Sequence, residues 1–303
     1  PYTTLFRSKR KKLSWEDRLF HIGNTAIMIL IGIIMVYPLY YIVLASITNP
    51  TVVNSGKLLL FPENIYLEGY KAAFEYKQLF TGFFNSIVYT FTGTVISIGL
   101  TIPGAYALSR KELKGRNAVM FLFTFTMFFS GGMVPAYMLV NKLHFIDTMW
   151  AMVLPGALSV YNMIVVRTFF QTNIPDELLE AAKVDGCSDL RFFWSIALKV
   201  SGTIIAVMVL FYAVALWNSY FNAIMYLNSR SRMPLQAVLR DLLILNTVTN
   251  ELPIDATETV DRMMRADQLK YCVIIISTVP MMILYPFIQK HFTKGVMIGS
   301  IKG

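Results

Sequence analysis

Charge is scarce in this chain and missing altogether from long stretches of it. Of the 303 residues only 15% are Asp, Glu, Lys or Arg, against 55% hydrophobic. Six runs, about 22–47, 82–109, 117–140, 148–166, 200–227 and 271–289, contain none of the four. A helix of about 20 apolar residues crosses about 30 Å of hydrocarbon. A central charge costs about +3 kcal/mol on the insertion scale, where each apolar residue contributes up to about −0.6. Runs this clean insert into a bilayer; as buried helices of a large soluble protein they would need six faces uncharged all round. Cysteine is nearly absent, with Cys187 and Cys272 alone, so no disulfide framework is expected. The three histidines, His21, His144 and His291, are scattered at run edges with no metal-ligand spacing and no convergent partners. No catalytic or metal-binding residue is assigned. The phosphate-loop pattern Gly-x-x-x-x-Gly-Lys-Ser/Thr is missing, so no ATPase site is expected in this chain. The lack of ionisable residues inside the runs also removes the groups a secondary transporter needs for ion coupling. Low-complexity tracts and clear repeats are absent, and the first apolar run is too long for a cleavable signal peptide.

The charge that is present is placed unevenly. The net charge is +9, which could suggest nucleic acid, but the placement argues for a membrane. Lys9, Arg10, Lys11 and Lys12 precede the first run. Arg110, Lys111, Lys114 and Arg116 crowd the link between the second and third, and Lys290, Lys294 and Lys302 follow the last. Six alternating crossings put all three groups on one side, the positive-inside pattern with both termini cytoplasmic. The expected organisation is a six-helix transmembrane domain over 14–290, with a cytoplasmic loop at 171–199, an outer loop at 228–270 and a cytoplasmic tail at 291–303. Residues 1–8 read like an in-frame translation of a common sequencing adapter. Segment 1–13 is therefore expected to be an artefact joined to a basic tail.

Within this frame, Pro38 is expected to kink the first span. An amphipathic helix is expected over 67–80. Gly93, Gly99 and Gly104 read as helix-packing positions in lipid rather than a gate. The segment 130–135 breaks the third span; since broken backbone at membrane depth survives only under protein or beside water, it is expected to face the bundle interior. His144 and Asp147 read as members of a solvated loop. Trp217, Tyr220 and Phe221 offer rings, and Asn218 and Asn222 offer amides. Asn218, Tyr220 and Asn222 are candidate substrate-pathway residues, with an interfacial aromatic belt as the other reading.

The cytoplasmic loop carries the densest local signal. Pro175 suits a first helical turn, where its missing donor is harmless. Asp176 and Glu177 favour the positive end of the helix dipole. Leu178, Ala181, Ala182 and Asp185 are expected near one face, Gly186 to end the helix left-handed, and Ser188 and Asp189 to cap the next one. The outcome is a short helix lying across the membrane surface with small residues that let a partner approach.

Glu180-Ala181-Ala182, three residues, Gly186, nine residues, then Ile196-x-Leu198 resembles the EAA loop of bacterial ABC importer permeases. With Ser130-Gly131-Gly132-Met133-Val134-Pro135, Asp185-Gly186-Cys187-Ser188-Asp189, Trp217-Asn218-Ser219-Tyr220-Phe221-Asn222, Pro234-Leu235-Gln236 and the tail at 294–303, the chain is similar to the second permease subunit of maltose-type carbohydrate importers. Within these it resembles the oligosaccharide and polysaccharide branch. It departs where Lys199 stands in place of the usual Pro. The resemblance implies an all-α membrane protein, the type I ABC importer permease fold with six transmembrane helices and a cytoplasmic coupling helix. It implies a bacterial inner-membrane location and ATPase-docking residues Glu180, Ala181, Ala182, Asp185 and Gly186. Its implied partners are a second permease subunit, a cytoplasmic ATPase dimer that binds the ATP, an extracytoplasmic solute-binding protein and membrane lipid. No cofactor of its own and no nucleic acid are implied. By the same resemblance, the outer loop reaches the binding protein and the tail inserts toward the ATPase pair. A non-sugar solute is the alternative cargo.

Overall fold

The computed structural model describes residues 14–56, 60–248 and 264–283, together with Pro286. The adapter-like start, the outer-loop tip at 249–263 and the tail at 291–303 lie outside the described residues. The described chain is helical throughout; among these residues the only strand-like pairing is an isolated antiparallel bridge between Thr48 and Ile65. It divides into two compact units, Pro1–Leu67 and Glu68–Gly303.

The first unit is dominated by Trp15–Ile47 (α1), a single helix of 33 residues. It begins seven residues before the uncharged run because Ser14 and Asp17 form a helix start, the Ser14 N–H donating to Asp17 Oδ2 at 3.3 Å. At about 1.5 Å per residue the helix is about 50 Å long, more than the hydrocarbon thickness. It runs through Pro38 without a break. Asn49 then caps Pro50–Asn54 (α2), its Oδ1 accepting from the Thr51 N–H at 3.0 Å.

The second unit is built around Lys77–Ser109 (α4), preceded by Glu68–Glu75 (α3); the expected 67–80 helix is split at Tyr76. Against α4 pack Val160–Asn173 (α8), Gly202–Trp217 (α12) and Leu235–Val248 (α14). Close approach explains two glycines. A Cβ on Gly93 would stand 2.6 Å from Leu216 Cδ1, and one on Gly104 3.0 Å from Met163 Cε. Some polar α4 residues are buried with partners, while the hydroxyls of Thr90 and Thr94 are buried without one. Thr101 Oγ1 lies 2.6 Å from Tyr212 Oη, which also accepts from the Ser159 N–H at 3.2 Å. This bond anchors irregular backbone that the membrane would otherwise leave unsatisfied.

Four expected spans are modified. The third becomes Arg116–Phe128 (α5) and Met133–Lys142 (α6), bent by 113° where expected. At this break Phe128 is 74% and Val134 66% exposed in the chain taken alone. The fourth becomes Met149–Val153 (α7) and α8, since Pro155 and Gly156 stop the helix between them. The fifth starts as Asp189–Phe192 (α10), a π-helical turn over Phe193–Ala197 and Leu198–Val200 (α11). It then bends 80° at Ser201 into α12. It breaks again at Asn218 and Ser219 before Tyr220–Tyr226 (α13). The last, Met264–Ile283 (α15), starts seven residues before the uncharged run. Three described helices are thus long and apolar enough to cross a membrane, or five counting each bent pair as one span. Neither α7, of 5 residues, nor α8, of 14, is long enough alone.

Candidate functional site

The loop after α8 folds into Asp176–Val184 (α9), as its residue order dictates. Pro175 holds the start in extended geometry, with φ −60° and ψ 147°. Gly186 takes φ +76°. Its N–H donates to Lys183 O at 3.0 Å and the Cys187 N–H donates to Ala182 O at 2.9 Å, the paired bonds of a Schellman stop. Ser188 Oγ accepts from the Arg191 N–H at 3.4 Å and opens α10.

The buried edge of α9 differs from the expected face. Leu179 is 3% and Ala182 8% exposed, both in one apolar cluster with Tyr106, Phe170, Ile174 and Phe193. Glu180, Ala181, Asp185 and Gly186 are exposed, while Ala182 turns inward and supports the helix from below. Val184, not singled out in the sequence, is 88% exposed and adds an apolar side chain to the outer face.

The seat under α9 is aromatic and cationic. Tyr106 meets Phe170 edge-on at 5.4 Å and Phe193 at 4.9 Å, with the Arg110 guanidinium 5.1 Å from its ring centre. Arg110 Nη2 donates to Phe170 O at 3.3 Å and Arg167 Nε donates to Leu108 O at 3.0 Å, so α4 and α8 hold each other's ends. On the surface, Lys111 pairs with Asp176 at 2.6 Å, and Lys183 reaches Asp189 at 3.3 Å and Glu112 at 3.5 Å. The hydrogen bond from Lys111 holds the Asp176 carboxyl below its usual range, and the same bond raises the Lys111 ammonium. These pairs place the basic α4–α5 link and α9 on the same side of the molecule.

The second candidate group is dispersed. Trp217 is 3% exposed, donates from Nε1 to Ser277 O at 3.2 Å and meets Phe83 edge-on, so its ring belongs to the core. Asn218 and Tyr220 are exposed and Asn222 is half-buried. Asn218 and Asn222 sit on either side of the helix break, and Asn218 Nδ2 already donates to Val214 O at 2.9 Å.

The structure also gives Asp147 a task that the sequence did not reveal. Asp147 Oδ1 accepts from the Asn228 and Ser229 N–H groups at 3.1 and 3.0 Å, and Oδ2 accepts from Ser229 Oγ at 2.6 Å. Arg232 stands 3.5 Å away. The Ser229 hydroxyl, then the two backbone donors and Arg232, hold this carboxyl below the ordinary range against the opposing effect of burial. From α4, Asn85 Nδ2 donates to Ser231 O at 2.8 Å, Tyr89 Oη donates to Arg232 O at 2.9 Å, and Ser86 Oγ accepts from the Leu235 N–H at 2.8 Å. The root of the expected outer loop, 228–235, is thereby tied to the opposite end of α4. The only sequence signal was a carboxylate beside a long loop.

Known proteins resemble this arrangement closely. Residues 79–298 match the family model described as binding-protein-dependent transport system inner membrane component. Protein LplC of Bacillus subtilis is 39% identical over 94% of this chain and 96% of its own length. The polygalacturonan/rhamnogalacturonan transport system permease protein YtcP, from the same organism, is 39% identical over 95% of this chain and 100% of its own. Among solved structures, a chain of a bacterial ABC transporter involved in the import of the acidic polysaccharide alginate superposes with a TM-score of 0.83 at 29% identity. That match covers 93% of this chain and 99% of the other. An all-helical chain with broken apolar spans, a short helix seated between two of them and these relatives along nearly its full length belongs to the binding-protein-dependent transport system inner membrane component family, the permease subunits of ABC importers.

Proposed function

We propose that this permease forms one half of the path for a carbohydrate, an oligosaccharide by preference, and takes its driving motion from a separate ATPase pair gripping α9. The observation that carries the reading is the geometry of α9: an apolar underside locked into the bundle and an exposed face of Glu180, Ala181, Asp185 and Gly186. Ala182 supports that face rather than touching a partner. A helix seated this way passes a push into the spans instead of yielding to it. ATP acts only through the different affinities of the ATPase pair for inward-open and outward-open states.

The cargo class is supported by the names of the polygalacturonan/rhamnogalacturonan permease and the alginate importer. Both termini and α9 are assigned to the cytoplasm, because the basic link beside α9 satisfies the positive-inside pattern. A second permease subunit covers the exposed break at 129–132, and a solute-binding protein meets the loop rooted at 228–235. Asn218, Tyr220 and Asn222 remain candidates for sugar contact from the break in the fifth span.

The test is uptake by cells carrying Gly186→Pro or Glu180→Lys. Proline cannot adopt the left-handed backbone of Gly186, and lysine reverses a charge on the exposed face. Both variants should insert normally and lose transport together with substrate-stimulated ATP turnover in liposomes. Normal uptake in either would remove α9 as the coupling element. Asn218→Ala should alter sugar preference while leaving ATPase stimulation intact; unchanged preference would remove it from the path.

A further inference from the structure

A cavity bordered by described residues lies at the C-terminal end of α4. It measures about 530 Å³. Its walls are Pro103 and Tyr106 of α4, Leu179 of α9 and Phe193; Leu190 and Trp194 stand at its mouth. The mouth residues are strongly exposed, at 72% and 62%. An apolar slot open beside the end of a membrane span, with a Trp at its rim, matches the chemistry of an acyl chain whose headgroup rests at the interface.

The charged residues lining it are Arg110, Glu112 and Asp189. Glu112 and Asp189 border the cavity, but both face Lys183, at 3.5 and 3.3 Å. Lys111 is taken by Asp176. Arg110 also lines the cavity and has no carboxylate within ion-pair distance among the described residues. A guanidinium removed from water without an anion is an incomplete site, and phosphate is an anion its fork fits. Lys114 and Arg116 follow on the same link and form no ion pair among the described residues. Basic pockets between spans on the cytoplasmic side take anionic lipid headgroups.

We propose that this cavity binds one anionic phospholipid, with an acyl chain along Leu113, Leu190 and Trp194 and its phosphate drawn to Arg110. The lipid then lies beside the apolar seat of α9, on its accessible edge. The site requires only that α4 ends at a membrane surface. It is tested with no nucleotide and no protein partner, so its failure leaves the coupling role of α9 standing.

The test uses the full chain in vesicles containing phosphatidylglycerol or phosphatidylcholine with brominated acyl chains, which quench tryptophan on contact. The contribution of Trp194 is taken as the difference from Trp194→Phe. At equal mole fraction, brominated phosphatidylglycerol should reach Trp194 with about a fivefold preference, the factor one basic side chain near an anionic surface contributes. Arg110→Gln keeps a donor for Phe170 O and should abolish the preference. Ala107→Phe narrows the slot without touching charge and should remove quenching of Trp194 by either lipid. Equal quenching by both lipids in the unaltered protein would overturn the proposal. So would no quenching by either, the result if a protein segment fills the slot, or an undiminished preference in Arg110→Gln. Should Arg110→Gln fail to fold, the lipid comparison in the unaltered protein and Ala107→Phe decide the matter.

Discussion

The two ends of α4 hold functional segments by opposite means. At its C-terminal end, α9 rests on an apolar seat, and its polar contacts are ion pairs in water. At its N-terminal end, some 24 residues away and so about 36 Å along the helix, segment 228–235 is apolar only at its far end, where Met233, Pro234 and Leu235 pack inward. It is held by side chains bonding to backbone: Asp147, Asn85, Ser86 and Tyr89. The contrast follows from how each segment is made. A helix satisfies its own backbone and needs only a greasy edge. A segment with only one 3-10 turn, Arg230–Arg232, leaves N–H and C=O groups that must find partners when buried.

Substitutions can break this comparison at either end. The largest effect is expected from Phe170→Ala, which empties the seat beside Tyr106 and should cost about 3–5 kcal/mol. Thermal unfolding in detergent should drop accordingly, and amide exchange should rise across α9 while 228–235 stays protected. Loosening of both ends together would mean that the two attachments are not separate. Asp147→Ala comes next. It strips two backbone donors and a hydroxyl of a charged acceptor and should cost about 2 kcal/mol. Exchange should accelerate at Asn228 and Ser229, with α9 unchanged.

The pH dependence sharpens the same contrast. The folded Asp147 carboxyl titrates below its ordinary value. Its stabilisation is therefore complete above the unfolded value, about pH 4, and fades as pH falls through the lowered folded value. Acid should loosen 228–235 in the unaltered protein, and Asp147→Asn should show a smaller loss there. Equal acid sensitivity in the two would show that the charge is not what holds the segment. The smallest effect belongs to Lys183→Gln. It removes two exposed ion pairs beside α9, and screening by water leaves such pairs little weight. The unfolding midpoint should not move measurably, and a clear drop would show that the seat alone does not hold α9.

What could be read from the sequence divides along the same line. Pro175, Gly186 and Ser188 gave the limits of α9, because helix ends are set by residues local to them. The buried underside was not assigned from the sequence. The sequence contains both Leu178 and Leu179, and only the packing of Tyr106 and Phe170 decides which is buried. The break at 130–135 was legible from Gly131, Gly132 and Pro135, but its exposure in the chain taken alone was not, since exposure depends on neighbours distant in sequence. Pro155 and Gly156 announced the stop between α7 and α8, yet the uncharged run concealed it. The bend at Ser201 falls beside Gly202, a local signal that the reading of the fifth span passed over, and Lys199 occupies the usual proline position. Asp147 was invisible for another reason: its partners lie about 80 residues along the chain, and no periodicity connects them.

The uncovered turn at 129–132 bears on how the protein is made. It comes 13 residues after Arg116, so about 20 Å along the path from the surface, where oil offers nothing to the free groups at two helix ends. A copy synthesised alone is an unfinished object, and membrane proteases should find it before it accumulates. Its half-life in cells should lengthen when a companion subunit is produced beside it, which makes supply of that companion a ceiling on how much importer a cell can keep.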